Sequence, residues 1–488
     1  MTSTQDLGAS AGRGAAVTFL AQLFRVGLQF IGIVVLARIL TPNDYGLVAM
    51  VTAVIGVAEV FRDFGLSMAA VQSKTLSKQQ RNNLFWLNTL IGAILTVLVF
   101  FSAPMVASLF GRAELEPLTQ ALSVTFLLNG VSTQYRASLN REMQFFKLNG
   151  SEIAGQALGL LVGIVGGLAG WGYWALAAQQ VSQALAALVV LVVAARWLPG
   201  RYDRSVRTAS FLNYGMNLLG VNLLSYASKN LSTVVIGASL GPAQLGQYNR
   251  AYQLLTLPLN QINAPATRVA LPVLSRLQDS REDFDRFVVR GQSMLLHVVV
   301  FVFVLAVAMT PPLVELFLGN QWDDVVPIFR ALAIAGIFQS AGYVTYWIFL
   351  AKGLTRENLY YSLVTRIVQI VLILVAAPFG LMPIVWAYVV GVVVSWPLSL
   401  VYLKILRAAP VGLLIQNVLA IVAAYSVVGG ATYFVVGAVS LASPVVQVLV
   451  GLGVALATAV LLFAVWPRYR KEVRDLLRVF TRIRKRRP

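Results

Sequence analysis

The sequence predicts an all-α polytopic membrane protein of about fourteen transmembrane helices, built as two six-helix lobes and a C-terminal helix pair. Three observations predict it. Of 488 residues, 58% are hydrophobic and 12% charged, the balance of a chain dissolved in lipid rather than packed around one soluble core. Apolar stretches long enough to cross a hydrocarbon core of about 30 Å recur from Gly14 to Trp466. The connections between them rarely exceed about fifteen residues, too short for a soluble catalytic domain.

The first thirteen residues are polar and lead into an apolar run of about 26, with no small-residue cleavage site behind a short core, so the first helix is expected to stay. Spans follow near 14–40, 45–71, 83–109, 118–140, 150–170 and 173–195, then near 209–239, 244–275, 288–310, 327–350, 358–377 and 382–406. A final pair lies near 412–438 and 444–466. This organises the chain as an N-terminal lobe (1–200), a basic linker (201–208), a C-terminal lobe (209–407), the last two spans (408–467) and a basic amphipathic tail (468–488).

The net charge of +19 is read by position along the membrane normal and requires no nucleic acid. Every second connection is basic: Lys74, Lys78 and Arg81; Arg141 and Lys147; Arg196, Arg201, Arg204 and Arg207; Arg276, Arg281, Arg286 and Arg290; Lys352 and Arg356; Lys404 and Arg407; and the tail. The intervening connections carry almost no lysine or arginine, Arg112 being the exception. The positive-inside rule makes the basic set cytoplasmic and, with an even number of spans, puts both termini there. Leu40-Thr41-Pro42-Asn43-Asp44-Tyr45-Gly46 is echoed by Leu240-Gly241-Pro242-Ala243-Gln244-Leu245-Gly246 at the equivalent place in the second half. The echo suggests lobes related by an axis along the membrane normal.

The informative residues are charges where hydrocarbon should exclude them. Arg25 and Arg38 fall in the first span, Glu59, Arg62 and Asp63 in the second, Arg136 in the fourth, Lys229 in the seventh, Arg250 and Arg268 in the eighth, and Arg366 in the eleventh. Arg38 and Arg250 lie nearest the outer face, within reach of snorkelling. At roughly 3 kcal/mol each, five central cations facing lipid would cost about 15 kcal/mol, comparable to the stability of a typical fold. They are therefore expected to face a wet cavity or one another, and their concentration in the first two helices of each lobe suggests a shared cationic cleft. Such a cleft selects anions, because guanidinium forks pair well with phosphate. Glu59, Arg62 and Asp63 share one helical face, where the acids can hold the arginine or titrate as an ion-coupling pair. Pro258 and Pro265, with Pro272, recur at seven-residue spacing and are expected to bend the eighth span, as a hinge or as a static kink. The single histidine, His297, reads as a packed, hydrogen-bonded side chain or a proton relay. Trp347, Trp386 and Trp396 read as interfacial belt residues or as platforms for sugars.

The run Ala37-Arg38-Ile39-Leu40-Thr41-Pro42-Asn43-Asp44-Tyr45-Gly46-Leu47, followed by Phe61-Arg62-Asp63-Phe64-Gly65-Leu66, resembles the amino-terminal signature of Wzx-type polysaccharide exporters of the multidrug/oligosaccharidyl-lipid/polysaccharide superfamily. Leu245-Gly246-Gln247-Tyr248-Asn249-Arg250-Ala251-Tyr252 and Leu257-Pro258-Leu259 resemble it too. The resemblance implies a two-lobe fold like that of the multidrug exporters of this superfamily, and alternating access. It also implies transfer of undecaprenyl-diphosphate-linked oligosaccharide from the inner to the outer leaflet of a bacterial plasma membrane. The family's cationic cleft maps onto Arg25, Arg62, Lys229, Arg250 and Arg268. The implied partners are that lipid-linked saccharide, membrane lipids and a polysaccharide polymerase or export machinery; no cofactor is implied.

Two alternatives stay open. A peptidoglycan-precursor flippase of the same superfamily would share the cleft and carry another sugar. A membrane saccharide polymerase or ligase would need acceptor chemistry on a long outer loop, and the longest outer connection, 311–326, offers only Glu315, Asp323 and Asp324. Neither a phosphate-binding Gly-x-x-x-x-Gly-Lys loop, a Gly-x-Ser-x-Gly elbow nor a metal-spaced cluster is present, so no catalytic or metal site is assigned.

Overall fold

The computed structural model describes residues 4–62, 76–205, 229–439 and 443–485 together with positions 223, 226 and 227, and no strand occurs among them. The chain forms two compact units, Met1–Gly246 and Gln247–Pro488. Eleven helices of the described residues have the length and composition of a membrane span. Two further long helices and a shorter helical stretch, 229–240, are consistent with a total of about fourteen.

The first unit comprises α1 (Thr4–Ile39), α2 (Pro42–Arg62), α3 (Lys78–Phe110), α4 (Leu115–Arg141), α5 (Phe145–Leu168), α6 (Tyr173–Ala195) and α7 (229–240). Its helix starts are written in the sequence. Thr41 caps α2 in reciprocal bonds with Asp44: Thr41 N–H donates to Oδ2 at 2.9 Å and Asp44 N–H to Thr41 Oγ1 at 3.2 Å. Ser77 and Gln80 form a capping box on α3. Helices α3 and α4 pack as one hairpin and α5 and α6 as another, with α1 against α5 and α4 against α6. The basic connection after α6 is pinned to α3. Asn83, fully buried, donates to Asp203 O at 2.7 Å and accepts from Asp203 N at 2.9 Å, and the Trp86 indole donates to Gly200 O.

The second unit continues α8 (Pro242–Arg276) into α9 (Arg281–Ala308), α10 (Thr310–Phe317), α11 (Val325–Ala351), α12 (Thr355–Ala376), α13 (Leu381–Ile405), α14 (Val411–Ala438), α15 (Pro444–Val465) and α16 (Pro467–Lys485). Its core lies along α9 and α11, where Phe303, Trp347 and Phe349 are fully buried. Helix α8 runs unbroken through Pro258, Pro265 and Pro272.

Several sequence expectations are corrected here. The stretch 311–326 is folded as α10 and a 3-10 turn, Asn320–Trp322, because Pro311 and Pro312 start a helix where their missing N–H groups are harmless. Arg250 does not snorkel. It is buried, with its guanidinium 5.6 Å from the Trp322 ring centroid and Nη1 donating to Gln253 Oε1 at 2.6 Å. Trp347 and Trp396 are buried rather than belted at an interface, and the Trp347 indole donates to Thr267 Oγ1 at 2.8 Å. The span expected near 45–71 is helical to Arg62; Asp63 lies outside the described residues.

The basic tail is α16, and it docks on its own unit. His297, buried in α9, meets Glu472 of α16 through Nε2 at 3.0 Å and Tyr425 of α14 through Nδ1 at 3.0 Å. Arg468 holds the same carboxylate at 2.9 Å and reaches Asn417. The histidine is thus a packed, hydrogen-bonded group, one of the two roles expected of it.

Candidate functional site

Inside the first unit, five helices surround a polar cavity of about 380 Å³. Helix α1 contributes Arg25, α2 Glu59, α4 Thr125, Asn129 and Arg136, α5 Glu152 and Gln156, and α6 Gln180 and Gln183. Each set falls on one helix face at three-, four- or seven-residue spacing, the period that turns side chains to one side. Glycine lets two walls close: a Cβ at Gly155 would stand 2.7 Å from the Gln183 carbonyl oxygen, so α6 can approach α5 and bring its glutamines to the cavity.

At 1.5 Å rise per residue, Arg25 and Glu59 lie about 21 and about 26 Å along their helices from the α1–α2 turn. That is membrane depth, yet Arg25, Glu152 and Glu59 keep side-chain exposures of 27%, 30% and 36%. A partly exposed charge inside a membrane bundle needs water around it, so the cavity is wet.

Two ion pairs organise the charges. Arg25 Nη1 contacts Glu152 Oε2 directly, while Nη2 donates to Asn149 Oδ1 at 3.3 Å and Gln156 Nε2 donates to Arg25 O at 3.1 Å. Arg62 Nε donates to Glu59 Oε2 at 2.6 Å. Arg136 has no carboxylate within ion-pair distance among the described residues, and its Nε is buried without an acceptor. The cavity binds polar molecules, and its surplus of one cation favours an anionic group.

The structure brings Arg25, Arg62 and Glu59 together around this cavity. Lys229 and Arg268 are each exposed and have no carboxylate partner among the described residues. Arg250 packs on Trp322 in the second unit. Sequence reasoning placed Arg136 inside the membrane without giving it a site role, and it missed Glu152, Gln156, Gln180 and Gln183. A signal existed: Glu152 with Gln156, and Gln180 with Gln183, are helix-spaced polar pairs in apolar spans, less conspicuous than arginines because neutral amides stay near water cheaply.

Residues 35–327 match the family described as polysaccharide biosynthesis protein. The lipopolysaccharide biosynthesis protein WzxC of Escherichia coli (strain K12) is 26% identical over 339 residues, 67% of each chain. The teichuronic acid biosynthesis protein TuaB of Bacillus subtilis (strain 168) is 25% identical over 391 residues, 78% of this chain and 80% of that one. Among solved structures, the lipid II flippase MurJ in an inward closed conformation superposes with a TM-score of 0.67 at 15% identity, covering 92% of this chain and 98% of that one.

Proposed function

Because this chain belongs to the polysaccharide biosynthesis protein family, we propose that it is a carrier. It moves undecaprenyl-diphosphate-linked oligosaccharide from the cytoplasmic to the outer leaflet of a bacterial plasma membrane, for exopolysaccharide, capsule or O-antigen synthesis. The observation that carries this reading is the wet cavity of arginines, glutamates and amides at membrane depth in the first unit. A polar headgroup can shed part of its hydration there against fixed charges and hydrogen-bonding amides, while an isoprenoid tail stays in lipid. The names of the relatives, lipopolysaccharide and teichuronic acid biosynthesis proteins, support a saccharide passenger. A peptidoglycan precursor is the second reading, favoured by the fold shared with a lipid II flippase.

In this mechanism the diphosphate is taken by the cations without carboxylate partners, Lys229 in the first unit and Arg268 in the second. Arg25 and Arg62 hold the cavity's shape and potential through Glu152 and Glu59. Alternating access exposes the site to each side in turn, with α8 flexing at Pro258 and Pro265. An inside-negative potential favours outward movement of each negative charge by about 2.3 kcal/mol per 100 mV. Glu59 is positioned to titrate and reset the empty carrier, with Asp63 as its neighbour in sequence. The basic connections and α16 face the cytoplasm by the positive-inside rule, where a polymerase or export assembly is the proposed partner. Depletion tests the reading: lipid-linked oligosaccharide should accumulate in the cytoplasmic leaflet, identified by mass spectrometry. Lengthening of glycan chains by the purified protein would mark a polymerase instead.

A further inference from the structure

The charges of the cavity are not spent evenly. Arg25 is paired with Glu152 and Arg62 with Glu59, and each pair is internally neutral. Arg136 is left as the cation whose charge no carboxylate meets within ion-pair distance among the described residues, with a buried Nε that donates to nothing. It shares the cavity with amides on three helices: Asn129 on its own helix, Gln156 on α5, and Gln180 and Gln183 on α6.

This donor set discriminates between parts of a glycolipid headgroup. A diphosphate carries two or more negative charges, and here it would meet one free cation beside two glutamates that repel it. A single carboxylate matches the surplus of one charge and the fork of one guanidinium. Primary amides donate and accept in one plane, the pattern that adjacent sugar hydroxyls require. The space of about 380 Å³ lies within the range of small-molecule sites.

We propose that the cavity of the first unit is a saccharide subsite for an acidic sugar, whose carboxylate is bound by Arg136 and whose hydroxyls are bound by Gln156, Gln180 and Gln183. The proposal rests on the carrier reading above and deepens it. It makes Arg136 a specificity-determining residue: the protein prefers headgroups carrying a uronic acid to their neutral counterparts. Losing one charge-assisted pair in a partly desolvated site costs roughly tenfold or more in affinity.

Three probes test it on full-length protein in nanodiscs: a short-chain polyprenyl-diphosphate disaccharide ending in glucuronic acid, its carboxyl-reduced glucose counterpart, and sugar-free polyprenyl diphosphate. Binding is read by calorimetry. The wild type should bind the acidic glycolipid about tenfold tighter than the reduced one. Arg136→Gln should bring the two within about twofold while leaving both the reduced glycolipid and the sugar-free diphosphate unchanged. Arg136→Lys, which keeps the charge, should retain part of the preference and serves if the glutamine variant does not fold. No preference in the wild type, or a preference that survives in Arg136→Gln, overturns the subsite while glycolipid binding leaves the carrier reading standing. Equal weakening of acidic glycolipid and sugar-free diphosphate by Arg136→Gln assigns the residue to phosphate and also overturns it. No binding of any probe overturns both.

Discussion

Gly46 and Gly246 lie in reciprocal contact with the prolines that begin each other's helices. A Cβ on Gly46 would stand 1.8 Å from the carbonyl oxygen of Pro242, and one on Gly246 would stand 1.9 Å from that of Pro42. These are the ends of the two echoed segments, so the repeat seen in sequence is a packing motif in which two helix starts cross with their backbones touching. Alanine at either position forces backbone apart, since no flexible side chain can yield. Gly46→Ala and Gly246→Ala should each destabilise the purified protein by about 1–3 kcal/mol, the usual range for overpacking. Thermal unfolding in detergent checks it; unchanged melting would mean the crossing is loose.

The Arg25–Glu152 pair is part-buried, so its coupling should fall between the about 1 kcal/mol of exposed pairs and the about 3–5 kcal/mol lost when fully buried ones are broken. A double-mutant cycle with Arg25→Ala and Glu152→Ala, read by thermal unfolding, should return about 1–3 kcal/mol. Each single alanine variant should cost more than half of the double, because each leaves a charge unpaired in the membrane. Simple additivity would show that the two groups do not act on each other.

Docking of α16 should depend on pH through Glu472. Burial raises this carboxyl, but the hydrogen bonds from His297 and Arg468 outweigh it and hold it below its usual value of 4.5. A carboxyl depressed in the folded state stabilises docking at every pH above the unfolded value and loses that contribution as pH falls through the folded value. The tail should therefore stay docked above pH 4.5 and loosen progressively below it, while Glu472→Gln should weaken docking at neutral pH and flatten the acid response. The chain has no cysteine, so spin labels at Lys471→Cys and Leu413→Cys can report the distance directly. A distance independent of pH in the wild type would contradict the account.

Asn83 holds the chain after α6 through two bonds to the Asp203 backbone. Asn83→Leu removes both and leaves buried peptide groups unpaired, which should cost about 1–3 kcal/mol. Limited proteolysis near Arg201 and Arg204 should accelerate in this variant. Cutting at the wild-type rate would show that the clamp does not restrain the linker.

The helices were legible because length and hydrophobicity are set by the bilayer, and charges such as Arg25 and Glu59 stood out because lipid penalises them. Partnerships were not legible. Glu152 is 127 residues from Arg25 and near the start of its own span, where a carboxylate looks ordinary. The burial of Trp347 and Trp396 was equally hidden, because an aromatic near a span end satisfies both an interface and a core. Arg250 read as a snorkelling side chain because nothing local announces Trp322, which a 3-10 turn in the supposed loop brings beneath it. Local chemistry predicted the helix caps at Thr41 and Ser77, where donor and acceptor lie three residues apart.

Translocation by the purified protein in liposomes tests the central claim most directly. A polyprenyl-diphosphate disaccharide labelled on its sugar is placed in both leaflets, and the fraction quenched by an impermeant reductant is followed in time. The wild type should move labelled lipid between leaflets, and Glu152→Ala, which strands Arg25 in the cavity, should slow it by about tenfold or more. Liposomes with wild-type protein that exchange no more lipid than empty ones, or a Glu152→Ala variant as fast as the wild type, would contradict the account.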